Sequence, residues 1–156
     1  MSDPSKLELN ALMVQLDTLY TGENWVALSA KAILDRIDPG MVDQAVRPGK
    51  HTARQILQHI LIWRSFLQRR LAGDEAFDVQ QNGPQDWQDP AADGLGSWEA
   101  LLGAFQASQK ELLALLNAAD TQLLSQRVAG RTYNYRYLIQ GVIQHDYYHF
   151  GQLALF

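Results

Sequence analysis

Apolar residues recur at three- and four-residue spacing in several stretches of the chain, separated by segments rich in proline, glycine and polar side chains. Leu9, Leu12, Met13, Leu16 and Leu19 mark the first stretch and predict an amphipathic helix over 5–20, with Ser2, Asp3 and Pro4 as start signals. Residues 21–24 interrupt it. Leu28, Ile33, Leu34 and Ile37 resume the pattern from Trp25 to Ile37, either as the same helix kinked or as a second one. Pro39, Gly40, Pro48 and Gly49 make 39–50 a connection across the end of the fold.

The next helix begins near Thr52, which can cap it, and carries Ile56, His59, Ile60, Trp63, Phe66 and Leu67 on one face until Gly73 stops it. Residues 74–97, with Gly83-Pro84, Asp89-Pro90 and Asp93-Gly94, predict one long loop. Ser97 opens another helix, whose stripe of Leu101, Leu102, Phe105, Leu112, Leu115 and Leu116 reaches about Ala119. After a short connection, Thr132, Tyr133 and Asn134 lead into a last helix running nearly to Phe156, with Leu138, Val142, Leu153 and Ala154 on its apolar face. No strand pattern, internal repeat or low-complexity tract competes. The expectation is an all-α four-helix bundle, with residues 1–156 as a single domain.

Composition narrows the function classes. At 156 residues, with 47% hydrophobic and 19% charged, the chain can bury one ordinary core. Its formal net charge of -4 argues against a nucleic-acid partner. Arg64, Arg69 and Arg70 fall near the end of a predicted helix, where cations complement the dipole. No polybasic tract marks an anionic membrane, and no apolar run approaches the roughly 20 residues needed to span one, so the expectation is a cytoplasmic protein with no membrane partner. Cysteine is absent, which excludes disulfides and a protein thiolate, and leaves nitrogen and oxygen donors for any metal.

The candidate chemistry lies in histidines. His145 and His149 are spaced i, i+4, so both imidazoles leave the same side of the last helix one turn apart. His59 supplies a third point from the core-facing stripe of another helix, and facing helices of a bundle commonly build metal sites this way. Three imidazoles with further positions left to water give an open site of the kind catalytic zinc uses, although zinc, nickel, copper and iron all suit imidazole. The alternative makes His59 a core histidine bonded to a neighbour and the other two polar residues of a half-exposed helix. His51, ahead of its helix, reads as a capping or loop residue.

The stretches His51-Thr-Ala-Arg-Gln-Ile-Leu-Gln-His59-Ile-Leu-Ile-Trp63 and His145-Asp-Tyr-Tyr-His149-Phe-Gly151-Gln152-Leu resemble the two signature helices of the DinB-like, or YfiT-like, metalloenzyme superfamily. Arg47-Pro48 to Lys50, Arg70-Leu-Ala-Gly73 and Glu23-Asn-Trp25 extend the likeness over most of the chain. The resemblance implies a four-helix bundle in which His59, His145 and His149 bind nickel or zinc. It also implies either a hydrolase or a transferase using a low-molecular-weight thiol such as bacillithiol or mycothiol as cosubstrate. A small-molecule substrate and a homodimer are further expectations, the latter with Trp98 and the long loop as a contact. A non-catalytic metal-binding or stress-response bundle is the alternative.

Around the ligands, Gln55, Gln58, Gln144, Asp146 and Gln152 are candidates to orient an imidazole, Gln152 sharing a face with His149. Asp146 is turned away from His145 and fits surface solvation as well, yet it is the nearest thing to a general base. Trp25, Trp63, Tyr147 and Tyr148 are candidate pocket walls, though aromatics at helical spacing also serve as plain core. Gly151 is expected to allow a close helix approach.

Overall fold

A computed structural model describes residues 3–26, 28–89 and 94–156; Ser2, Pro90 and Asp93 of the expected start and loop signals lie outside the described residues. Helix α1 (Pro4–Tyr20) is capped by Asp3, whose carboxylate accepts from the Ser5 N–H at 2.9 Å, and it buries Leu9, Leu12, Leu16 and Leu19. Its exit needs Gly22, because a Cβ there would stand 2.8 Å from the Thr18 Cα. The Asn24 amide then reaches the Thr18 and Leu28 carbonyls, both at 3.4 Å, and holds a turn where a helix was expected. The short α2 (Ala30–Leu34) starts only after Ser29, whose hydroxyl accepts from the Ala32 N–H. Trp25 therefore sits outside any helix and is fully exposed.

Helix α3 (Ala53–Leu71) opens with a reciprocal capping box: the Gln55 N–H donates to Thr52 Oγ1 and the Thr52 N–H donates to Gln55 Oε1. It closes in a Schellman turn, where the Asp74 N–H donates to the Arg69 carbonyl and the Gly73 N–H to that of Arg70. Gly73 lies at φ +82, the left-handed region that glycine enters without a Cβ clash. Helix α4 (Trp98–Ala118) is capped by Ser97, a 3₁₀ turn follows at Thr121–Ser125, and α5 (Tyr135–Leu153) is capped by Asn134.

Helices α1 and α3 each pack against both α4 and α5, which closes a four-helix bundle with α1 and α3 on one diagonal. The fold is all-α; among the described residues strand-like pairing is limited to isolated bridges at Ala45–Thr52 and Arg127–Asn134. Leu57, Ile60, Phe66, Leu101, Phe105, Leu112 and Leu116 fill the centre. Each such side chain contributes about 1.5–3 kcal/mol by leaving water. Among the described residues no helix is long and apolar enough to cross a membrane.

Three sequence expectations change. Arg64 is not at a solvated helix end but wholly buried, because α3 continues past it by two turns with that side facing α4 and α5. Trp98 is 4% exposed, drawn into the core as the first residue of α4, and so is not free to serve as a dimer contact. Gly151 is not at a close helix approach, since a Cβ there would meet nothing within 4 Å.

The loop between α3 and α4 is tied down. Arg131 donates to Asp78 Oδ1 and to the Val79 carbonyl, Arg70 donates to the Asp74 carbonyl, and Val79 is fully buried. These bonds hold the first part of the loop at the C-terminal end of α3, and Asp86 and Trp87 further along it reach back to His59.

Candidate metal centre

His59 is carried inward by the apolar stripe of α3, while His145 and His149 leave α5 one turn apart on the side that meets it. Their rings converge: one donor nitrogen from each lies within 4.8 Å of the others, and the Nε2 atoms of His59 and His145 are 2.9 Å apart. His59 and His149 are buried, with His145 partly so. Among the described residues no fourth histidine or carboxylate joins the cluster.

Hydrogen bonds behind the rings set which nitrogens face one another. The Nδ1–H of His59 donates to the Asp86 carbonyl at 2.6 Å, and a carbonyl can only accept, so Nε2 of His59 is left bare. Nδ1 of His149 is bonded to Gln152 Oε1 at 2.8 Å, which frees its Nε2 in the same way. For His145 neither neutral tautomer is comfortable. A proton on Nε2 suits His59 but leaves a bare Nδ1 buried 3.8 Å from the Asp146 carboxylate. A proton on Nδ1 suits Asp146, at a separation longer than a hydrogen bond, but then two bare Nε2 lone pairs face each other. A cation shared by the Nε2 atoms removes the conflict, so the donor set fits a divalent metal.

Electrostatics favour the neutral imidazole at His59 and His149. Burial, reinforced by the neighbouring histidines, pushes His149 down to about 4, and burial lowers His59 as well. Metal binding requires these deprotonated forms.

The long loop between α3 and α4 supplies much of the surroundings. Asp86 accepts from His59 through its carbonyl, from the Trp63 indole through Oδ1 and from the Asn82 N–H through Oδ2. Trp87 lies flat on His59, with ring centroids 3.8 Å apart, and His51 stacks on its other face at 3.6 Å. Neither Asp86 nor Trp87 was visible as a site residue in the sequence. The available signal was the loop's length, since long loops within compact folds are usually functional.

A cavity of about 590 Å³ adjoins the three histidines. Trp63, Tyr148, Gln152 and His51 line it. Trp25 does not, being exposed beyond the bundle, and Gln55 does not, its carbonyl being engaged at the start of α3. Tyr147 packs against the core.

Asp146 is neither solvated nor open to the cavity. It is fully buried, with Oδ2 accepting from Arg64 Nε at 2.7 Å, because it leaves α5 on the side facing α3 and α4. Arg64 Nη1 donates in turn to Ser108 and Gln109 of α4, and the guanidinium lies over the Phe105 ring. Asp146 thus backs His145 from the core, and cannot serve as a base reaching into the cavity.

A family model described as the DinB superfamily matches residues 26–153, a span that includes α2 to α5 and all three histidines. No curated protein and no solved structure matches the chain.

Proposed function

Since the chain belongs to the DinB superfamily, we propose that it is a metal-dependent enzyme whose three histidines hold nickel or zinc beside a small-molecule pocket. The observation that carries this reading is the convergence of three buried imidazole donors at the wall of a 590 Å³ cavity, with no fourth protein donor among the described residues. A structural site closed by four ligands would not leave that face open.

A divalent ion there supplies Lewis acidity, the means to ionise water or a low-molecular-weight thiol near neutral pH, and so suits hydrolysis or thiol transfer. The chain's own residues do the rest. Asp86 and Gln152 fix the rings of His59 and His149 and hold their donor nitrogens toward the common point. Trp87 covers one face of His59 and keeps water from it. His51 lines the cavity on the far side of Trp87. The Asp86 carboxylate is committed to two N–H donors.

Metal content of untagged protein tests the reading, with wild type beside His59→Ala and His145→Ala. The expected result is one nickel or zinc per chain in wild type, lost in both variants while circular dichroism stays helical. Equal metal content in all three proteins would remove the metal centre.

A further inference from the structure

Beyond the triad, the cavity is walled by Trp63, Tyr137 and Tyr148 and by the amide side chains of Gln81, Asn82 and Gln152. No lysine or arginine is among the described lining residues, and residues 1–2, 27 and 90–93 contain none in sequence. Of the arginines of the adjoining elements, Arg131 is engaged with Asp78, Arg136 with Glu8 and Arg64 with Asp146, while Arg127 lines a separate depression that shares Tyr133 and Tyr137 with the cavity. Asp86 adds a carboxylate to the lining, and the chain carries a formal net charge of -4.

An ionised group on a ligand entering this space gives up hydration and gains no charge-assisted bond. With no lysine or arginine in the described lining, ligand charge is compensated chiefly at the atom bound to the ion. The rim favours a ring instead. Tyr137 and Tyr148 are 64% and 65% exposed although they stand on the cavity side of α5, eleven residues and about three turns apart. Tyr137 also meets the Tyr133 ring and Tyr148 the His149 ring, and the surface each leaves exposed can bind a ring through its face or edge.

Resting on the metal-centre reading, we infer that the cavity selects ligands whose body beyond the metal-binding atom is uncharged and ring-bearing, and discriminates against those with a carboxylate or phosphate there. Gly141 offers a way to reverse the preference. It lines the cavity from the middle of α5, and a Cβ on it meets nothing within 4 Å, so Gly141→Lys introduces a cation at a site where the substitution also favours the helix.

The test uses cobalt-loaded protein and two matched probes, 4-(mercaptomethyl)benzamide and 4-(mercaptomethyl)benzoate, titrated by the sulfur-to-cobalt charge-transfer band. Wild type is expected to bind the amide about tenfold or more tighter than the carboxylate, and Gly141→Lys to shrink or invert that ratio. Equal or tighter binding of the carboxylate in wild type, or no spectral response to either thiol, overturns the selectivity while leaving the cobalt site standing. Failure of wild type to take up stoichiometric cobalt overturns the metal centre, and the selectivity with it.

Discussion

Helices α3 and α5 carry polar side chains into the interior at two neighbouring levels, and the two levels end differently. At one, Arg64 meets Asp146, and Ser108, Gln109 and the Phe105 ring take up much of the guanidinium. Opposite charges neutralise each other inside the bundle, with 0% exposure on both side chains. At the other, His59, His145 and His149 turn bare nitrogens toward one another beside a cavity. The first arrangement balances its charge within itself, although Arg64 Nη2 and Asp146 Oδ1 are left without a hydrogen-bond partner. The second presents a donor set that could hold a divalent cation. Burial of polar groups alone therefore does not mark a functional site; what marks it here is the convergence of like donor nitrogens, with no counter-charge from the protein, beside a cavity.

The contrast breaks most visibly at the ion pair. Asp146→Ala leaves the Arg64 guanidinium buried without its counter-charge, and a loss of about 3–5 kcal/mol is expected in urea unfolding. The double variant Arg64→Met/Asp146→Leu should recover most of it, since similar volume without charge suits the same space. A single-variant loss below about 1 kcal/mol would mean that the pair is not the charge-balanced unit described.

A smaller effect comes from pH acting on the metal-free protein. His59 and His149 have folded values below the ordinary one, His149 near 4, so between about 6.5 and 4 the unfolded chain binds more protons than the folded chain. Stability should fall as pH drops through that window, by an amount on the order of 1–3 kcal/mol, and level off for these groups below it. Thermal melts across the window read it directly, and His149→Gln should flatten the slope. An unchanged slope in that variant would remove buried neutral His149 as its source.

The smallest expected effect isolates the support behind one ligand. Gln152→Ala removes the acceptor on His149 Nδ1 and should cost about 0.5–1.5 kcal/mol of folding stability, while metal affinity falls about 10–100-fold. Competition against a chromophoric chelator measures the second number. Unchanged affinity would show that His149 is oriented by packing rather than by this bond.

How far the sequence reached follows from these particulars. The 3.6-residue period gave α1, α3, α4 and α5, because an apolar stripe at that spacing buries itself in only one way. Thr52 and Gly73 marked the ends of α3, since caps are local hydrogen-bond chemistry. His145 and His149 were legible as a pair for the same reason: their geometry is a property of one helix.

His59 could be placed on a core stripe, but whether it met the other two depended on how α3 and α5 pack. The fates of Asp146 and Arg64 were out of reach, because a charged residue beside an apolar face can go to solvent or to a partner 82 residues away, and local pattern is the same in both cases. Trp25 fell on the wrong side of that limit as well, since its placement depended on where the chain left α1.

The sequence by itself determined the helices, their caps and a pair of histidines facing one way, all of them consequences of contacts within a few residues. Tertiary structure alone decided that Asp86 and Trp87 close over His59, that Arg64 neutralises Asp146 and that no lysine or arginine is among the described residues lining the cavity. Each of those depends on groups far apart in the chain being brought within a few ångströms, where burial and charge act on them together.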